Sequence, residues 1–200
     1  MLSDFILNAK TDETPIYQLQ FENETVIESD LSKIDFDLVR FIKCRFVACD
    51  FSRVNIYNSH FEDCDMSNCK FTNSYWKGTK ILRCKAAGSD FNQTYFKEVQ
   101  IEDSSFHYAN CVKTKWENCA IKESQFKEAF MSEAKLKSMR LSQVDFTNAD
   151  FFKTSLKGIN LSDCTIDGIL LSETYAELRG AKINMFQAAS VAQLLGVQIV

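Results

Sequence analysis

The chain has no excess of basic residues: 23 Lys and Arg stand against 27 Asp and Glu, a formal net charge of −4 over 200 residues. That balance lacks the basic surface of a duplex-binding module, so no direct nucleic-acid ligand is expected. Nor is there an apolar run near the roughly 18 residues that a transmembrane helix requires. Met1 to Lys10 carry Asp4 and Asn8 where a signal peptide would place a basic start and an apolar stretch. A cytoplasmic protein without a membrane partner is expected. Disorder is excluded from the other side, because 46% of the residues are apolar and 12% aromatic.

What the chain does have is a period. Every fifth residue from Phe21 to Leu171 is apolar without exception, with Phe36, Phe41, Phe46 and Phe51 as one stretch and Phe91, Phe96, Ile101 and Phe106 as another. Two residues before each of these lies a second series of mostly small residues, among them Cys44, Cys49, Ser59, Cys64, Ser74, Thr79, Cys84 and Ser89. Two inward side chains separated by one outward side chain mark an extended segment, so each unit is a three-residue strand followed by a two-residue corner. A helix cannot hold this pattern, because a step of five residues scatters the large side chains around its cylinder.

A chain that turns a corner every five residues must stack its turns to satisfy its backbone polar groups, which predicts a parallel β-solenoid. Recurrences at 20 residues set the number of sides. Cys44, Cys64 and Cys84 are so spaced, as are Phe51, Phe71 and Phe91, while Trp76 and Trp116 lie twice that distance apart. Four units per coil give a square section and about eight coils, a rod about 37 Å long at a strand spacing of roughly 4.8 Å.

These residues resemble the pentapeptide-repeat family, whose unit is a small residue, Asp or Asn, then Leu or Phe, then two free positions. Ser89-Asp90-Phe91, Val144-Asp145-Phe146 and Ala149-Asp150-Phe151 match it closely. The resemblance implies an all-β fold, a right-handed quadrilateral parallel β-helix over residues 20–178, after a lead-in or cap at 1–19. Residues 179–200 break the phase at Arg179. Gln187 to Leu195 are rich in helix formers and Gly196 stands where a helix C-terminal cap would. This tail is similar to the C-terminal helix-and-strand dimerisation module of the quinolone-resistance (Qnr-type) group. Gly78, Ile81, Cys84, Lys85, Ala86, Gly88, Asp90 and Phe91 are similar to that group's glycine-marked central segment.

The resemblance implies a bacterial antibiotic-resistance protein: a homodimer that imitates duplex DNA, binds a type II topoisomerase (DNA gyrase or topoisomerase IV) and protects it from quinolones. Two rods end to end would reach roughly 75 Å, comparable to about 22 base pairs. The expected dimer interface is Phe186, Val191, Leu194, Leu195 and Ile199, whose apolar surface exceeds what one coil end requires. Asp30, Asp50, Asp90 and Asp150 share one side by the 20-residue phase and form the expected topoisomerase-binding surface. Lys77, Lys97, Lys115, Lys135, Lys137 and Lys157, with Tyr57, Tyr75 and Tyr95, fall along the adjacent side. The unbroken five-residue phase leaves no projecting loop, which sets the chain apart from strongly protecting Qnr-type proteins.

Neither catalysis nor a cofactor is expected. The phase points all eight cysteines inward, where Cys44, Cys64 and Cys84 form a line rather than a tetrahedral metal site. His60 and His107, the only histidines, face outward on different sides and form no triad with an inward Ser or Cys. The alternative to topoisomerase binding is a β-solenoid scaffold with an unrelated protein partner.

Overall fold

Each five-residue unit sends its backbone hydrogen bonds to neighbouring coils rather than along itself. In the computed structural model, which describes residues 1–198, Phe36 pairs with Ile56, Ile56 with Trp76, and Phe96 with Trp116, always parallel and always 20 residues apart. The outcome is a four-sided parallel β-solenoid. Two faces are seven-stranded sheets, the first running from Ile16–Tyr17 to Lys135–Lys137 and the second from Gln20–Glu22 to Arg140–Ser142. The third face begins with Thr25–Ile27 paired to Arg45–Val47 and continues as single bridges to Asp145 and Thr165. Bridges alone make the fourth, from Asp30 and Asp50 to Asp150 and Leu170.

Regular strand pairing therefore spans about six turns, fewer than the eight coils that spacing alone predicts. Beyond Ser142 the side chains keep their phase, but the backbone no longer forms strands. A slip of two residues then enters. Asn160 bridges Lys182, 22 residues on, and a 3-10 helix at Ala176–Leu178 occupies the stretch in which the extra residues fall. Stacking thus continues past the phase break at Arg179.

The corners come at a conformational cost that the stacking offsets. From Phe21 to Leu156 the residue two beyond each large inward side chain has positive φ, and most of these are not glycine: Lys33 at 63°, Arg53 at 59°, Asn73 at 57° and Gln93 at 60°. Such a conformation costs roughly 1 kcal/mol in an L-residue. Corner N–H groups turn onto the next coil, as in Lys33 to the Ser52 carbonyl at 3.0 Å and Arg53 to that of Thr72 at 2.9 Å. Where a bridge-type face turns, the carbonyl of the large residue also accepts from the N–H three residues on, Phe91 from Thr94 at 2.9 Å, closing a type II turn. Gly78 and Gly88 occupy this corner for a second reason. A Cβ on Gly78 would meet Asn58 Oδ1 of the preceding coil at 2.8 Å, and one on Gly88 would collide with Asn68 Oδ1.

Inside the rod the large side chains form columns at the rung spacing. Phe51, Phe71 and Phe91 stack with centroids 4.7 and 4.8 Å apart, and Phe106 stacks on Phe126 at 4.8 Å. The small inward series also serves the indoles, since Trp76 Nε1 donates to Ser74 Oγ and Trp116 Nε1 to Thr114 Oγ1, both at 2.9 Å. Both Trp side chains are fully buried, and every cysteine is buried.

A helix lies at each end. Helix α1, Leu2–Asp12, lays Leu2, Ile6 and Ala9 on the first coil, and Phe5 meets Phe21 edge-to-face at 5.5 Å. Helix α2, Met185–Leu194, crosses the last coil. No helix among the described residues is long and apolar enough to cross a membrane.

Candidate functional site

Asp30, Asp50, Asp90 and Asp150 stand on one ladder of the fourth face, but not as an unbroken acidic row. Read along the rod, the ladder is Asp30, Asp50, Lys70, Asp90, Asn110, Phe130, Asp150, Leu170. Each of the four carboxylates is engaged by its own corner: Oδ1 accepts the N–H two residues on, from Ser32, Ser52, Asn92 and Phe152 respectively, at 2.8 to 3.0 Å. These are Asx turns, which explains why Asp or Asn precedes the large residue so often. The second oxygen is partnered in three of the four. Lys10 reaches Asp30 at 2.8 Å, Lys70 reaches Asp50 at 3.6 Å, and Ser132 Oγ donates to Asp150 at 2.6 Å. At Asp90 it is Oδ1 again that accepts Asn110 Nδ2, at 2.9 Å.

Electrostatics follow the contacts. The Lys10 hydrogen bond, aided by Ser32, holds the Asp30 carboxyl down to about 2. At Asp50 partial burial pushes the pKa up, yet hydrogen bonds from Ser52 and the charge of Lys70 bring it below the usual carboxylate range. The face therefore offers anionic oxygens at regular heights, partly neutralised by lysines of the same rod.

The C-terminal end is built differently. Asn184 Oδ1 accepts the Gln187 N–H at 2.9 Å while Gln187 Oε1 accepts the Asn184 N–H at 2.8 Å, a capping box that starts α2. Gln187 is the helix's buried side chain, and its Nε2 donates to the carbonyls of Leu161 and Cys164 at 2.8 and 2.6 Å. Glu177 latches the preceding loop. Its carboxylate accepts the N–H groups of Lys153 and Ser172 and the Ser172 hydroxyl. Burial alone would push Glu177 up; N–H donors from its own backbone, Lys153 and Ser172 bring it below the ordinary glutamate value.

Of the five residues expected at the dimer interface, Phe186 (81% exposed) and Leu195 (54%) face solvent, beside the equally open Met185 and Val197. Val191 and Leu194 are half-buried against the chain's own core, and Ile199 lies outside the described residues. Tyr175 donates its hydroxyl to the Leu194 carbonyl at 2.6 Å and ties the far end of α2 to the rod. Gln187 and Glu177 escape a reading by five-residue phase, since both lie beyond the last regular unit. The Asn184-x-x-Gln187 spacing is the one signal that marks α2's start.

All eight thiols are free and buried. Those of Cys44, Cys49, Cys64, Cys69 and Cys119 donate to carbonyls of the preceding coil, Cys64 Sγ to Phe41 O at 3.3 Å, and burial pushes Cys111 up to about 12. Among the described residues no three His, Cys, Asp or Glu side chains are placed to hold a metal ion. His60 sits on the second face between Arg40 and Lys80, where burial lowers its pKa, and His107 lies on the third.

A square solenoid of five-residue units, small and large side chains alternating inward, defines the class. Family profiles match the chain as "Pentapeptide repeat region" over residues 14–91 and "Pentapeptide repeats (8 copies)" over residues 129–168. The chain belongs to the pentapeptide-repeat family. Among solved structures it is similar to QnrB1, described as a plasmid-mediated fluoroquinolone resistance protein. One trypsin-treated variant aligns with a TM-score of 0.54 at 24% identity, covering 92% of both chains. The full-length form aligns with a TM-score of 0.54 at 22% identity, covering 92% of this chain and 97% of that one. No curated protein matches the sequence.

Proposed function

We propose that this chain is a non-enzymatic, DNA-mimicking rod of the bacterial cytoplasm. In this proposal it dimerises through its C-terminal end and binds a type II topoisomerase, DNA gyrase or topoisomerase IV, protecting it from fluoroquinolones. The observation that carries the proposal is the correspondence of fold with a fluoroquinolone resistance protein across 92% of both chains. Support comes also from the Gly78 to Phe91 segment, from the outward Met185, Phe186 and Leu195, and from acids repeated at rung spacing on one ladder.

A second possibility, a scaffold with an unrelated protein partner, is favoured by the state of those acids. A duplex presents about one charge per 1.7 Å of axis. Here Lys10 and Lys70 neutralise two of the four acids, and Lys70, Asn110 and Phe130 interrupt the row. A gyrase supercoiling assay with and without a fluoroquinolone, titrated with the purified protein, separates the two. The proposal expects relief of drug inhibition, lost when Asp30, Asp50, Asp90 and Asp150 are all replaced by Asn, which preserves the Asx turns. Absence of any effect by the wild-type protein on gyrase or topoisomerase IV at large molar excess leaves the scaffold.

A further inference from the structure

The first face carries a charge pattern that neither possibility uses. From Tyr75 onward one outward column reads Tyr75, Tyr95, Lys115, Lys135, and the other Lys77, Lys97, Glu117, Lys137. Lys157 follows one coil on, with Lys113 and Lys153 at the adjoining corner. Parallel in-register pairing sets Lys97 directly on Lys77 and Lys135 directly on Lys115, a rung of roughly 4.8 Å apart. Like charges opposed in this way destabilise a sheet. On the second face, by contrast, Arg83 reaches Glu62 and Asp63, and Lys122 reaches Glu102 and Glu123.

The one acid on these strands is already committed. Glu117 accepts the Tyr95 hydroxyl at 2.6 Å and lies 3.4 Å from Lys137 and 3.9 Å from Lys115, whose ammonium sits 4.1 Å over the Tyr95 ring. Lys77, Lys97, Lys135 and Lys157 have no ion pair among the described residues. Where strand pairing ends, a groove of about 480 Å³ opens over the half-buried Leu136, rimmed by Lys135, Lys153 and Lys157 and by one acid, Glu133, whose carboxylate lies 4.0 Å from Lys113. An apolar floor beside three lysines, which outnumber the single paired acid, suits a planar base carrying a phosphate. At the other end Tyr57, Tyr75 and Tyr95 continue the stripe as contacting rings, 5.8 and 5.1 Å apart.

We propose that this face, from Tyr75 to Lys157, binds single-stranded nucleic acid, with phosphates on Lys77, Lys97, Lys135 and Lys157 and a base in the groove over Leu136. The chain's net charge of −4 concerns the whole surface, whereas this face is locally cationic. Its five rungs, four spacings of roughly 4.8 Å, span about 19 Å, the reach of a few extended nucleotides. A duplex turns its bases inward and leaves the groove and tyrosines unused. An acidic peptide supplies charge but no ring for the apolar floor.

The test is fluorescence anisotropy with a labelled twelve-residue oligothymidylate at about 50 mM and about 200 mM salt. Saturable binding is expected, with a slope of log association constant against log salt near about −3 for about four phosphate contacts on a single strand. Replacing Lys77, Lys97, Lys135 and Lys157 together by Gln should weaken it at least about tenfold at the lower salt. Because the substitutions relieve stacked like charges, the variant should melt at or above the wild-type temperature, and a lower melting temperature overturns the premise. No saturable binding by the wild type, undiminished binding by the variant, or displacement by duplex or polyglutamate as effective as by unlabelled oligothymidylate each overturns the proposal, polyglutamate pointing to an acidic protein segment instead.

Discussion

The two ends of the rod solve one problem in opposite ways. Both must cover a last coil whose interior is Phe, Leu and Ile. At the N-terminus α1 does so with an apolar stripe, Leu2, Ile6 and Ala9 at helical spacing, all buried. At the C-terminus α2 buries Gln187 and is fixed by hydrogen bonds to Leu161, Cys164 and Ser162 carbonyls, while Met185 and Phe186 point away from the rod, 79% and 81% exposed. A ten-residue helix has enough apolar side chains to seal the coil as α1 does. The polar latch leaves them on the outside, where a second copy would bury them.

The contrast presupposes a rod rigid enough to be capped, and the largest expected effect lies there. Phe91→Asp places a carboxylate among stacked rings in a fully buried column and should unfold the protein, a loss of more than about 5 kcal/mol, while Asn92→Asp at the next, outward position should cost under about 1. Thermal melts of equal midpoint for the two would refute the inward assignment.

At the ends themselves the same chemical change should have unequal consequences. Ile6→Asp intrudes on the sealed face of α1, 7% exposed, and should cost about 3 kcal/mol in urea unfolding. Phe186→Asp at the other end should cost almost nothing. Comparable losses at the two positions would mean that α2 seals its coil after all.

The polar latch is the next test. Gln187→Ala strands the Leu161 and Cys164 carbonyls and removes half of the capping box, so about 2 kcal/mol should be lost, with α2 fraying first in amide exchange. An unchanged exchange profile would assign the hold on α2 to Val191 and Leu194 instead.

The smallest effect concerns the tie between α1 and the fourth face. Asp30 is held down to about 2, below its ordinary 3.8, by Lys10, so the stabilisation is fully present above the ordinary value and disappears as pH falls through 2. Exposure of the carboxylate limits it to under about 1 kcal/mol. Asp30→Asn should abolish the difference in unfolding free energy between pH 5 and pH 2 that this pair contributes.

The rod was legible because its inward series repeats without interruption, and side-chain period survives even where strand pairing does not. For the same reason the period overstates the strands: Leu156, Leu161 and Ile166 keep phase in units that bond as turns and single bridges. Helix α1 was not legible from a period of five, although Leu2, Ile6 and Ala9 follow the helical one. The acids were legible as a column but not as turn caps, since their bonds to Ser32, Ser52, Asn92 and Phe152 depend on a corner with positive φ that Lys, Arg and Gln adopt as readily here as Asn. The outward turn of Phe186 was hidden because Val191 and Leu194, equally apolar, lean the other way.

Sedimentation velocity at about 10 µM decides the central claim, that the C-terminal end is left uncovered for a second copy. Wild-type protein should sediment at twice the 22.9 kDa chain mass, and Phe186→Asp with Leu195→Asp at the chain mass, with β-solenoid circular dichroism unchanged. A wild-type protein that sediments as a monomer would contradict the claim.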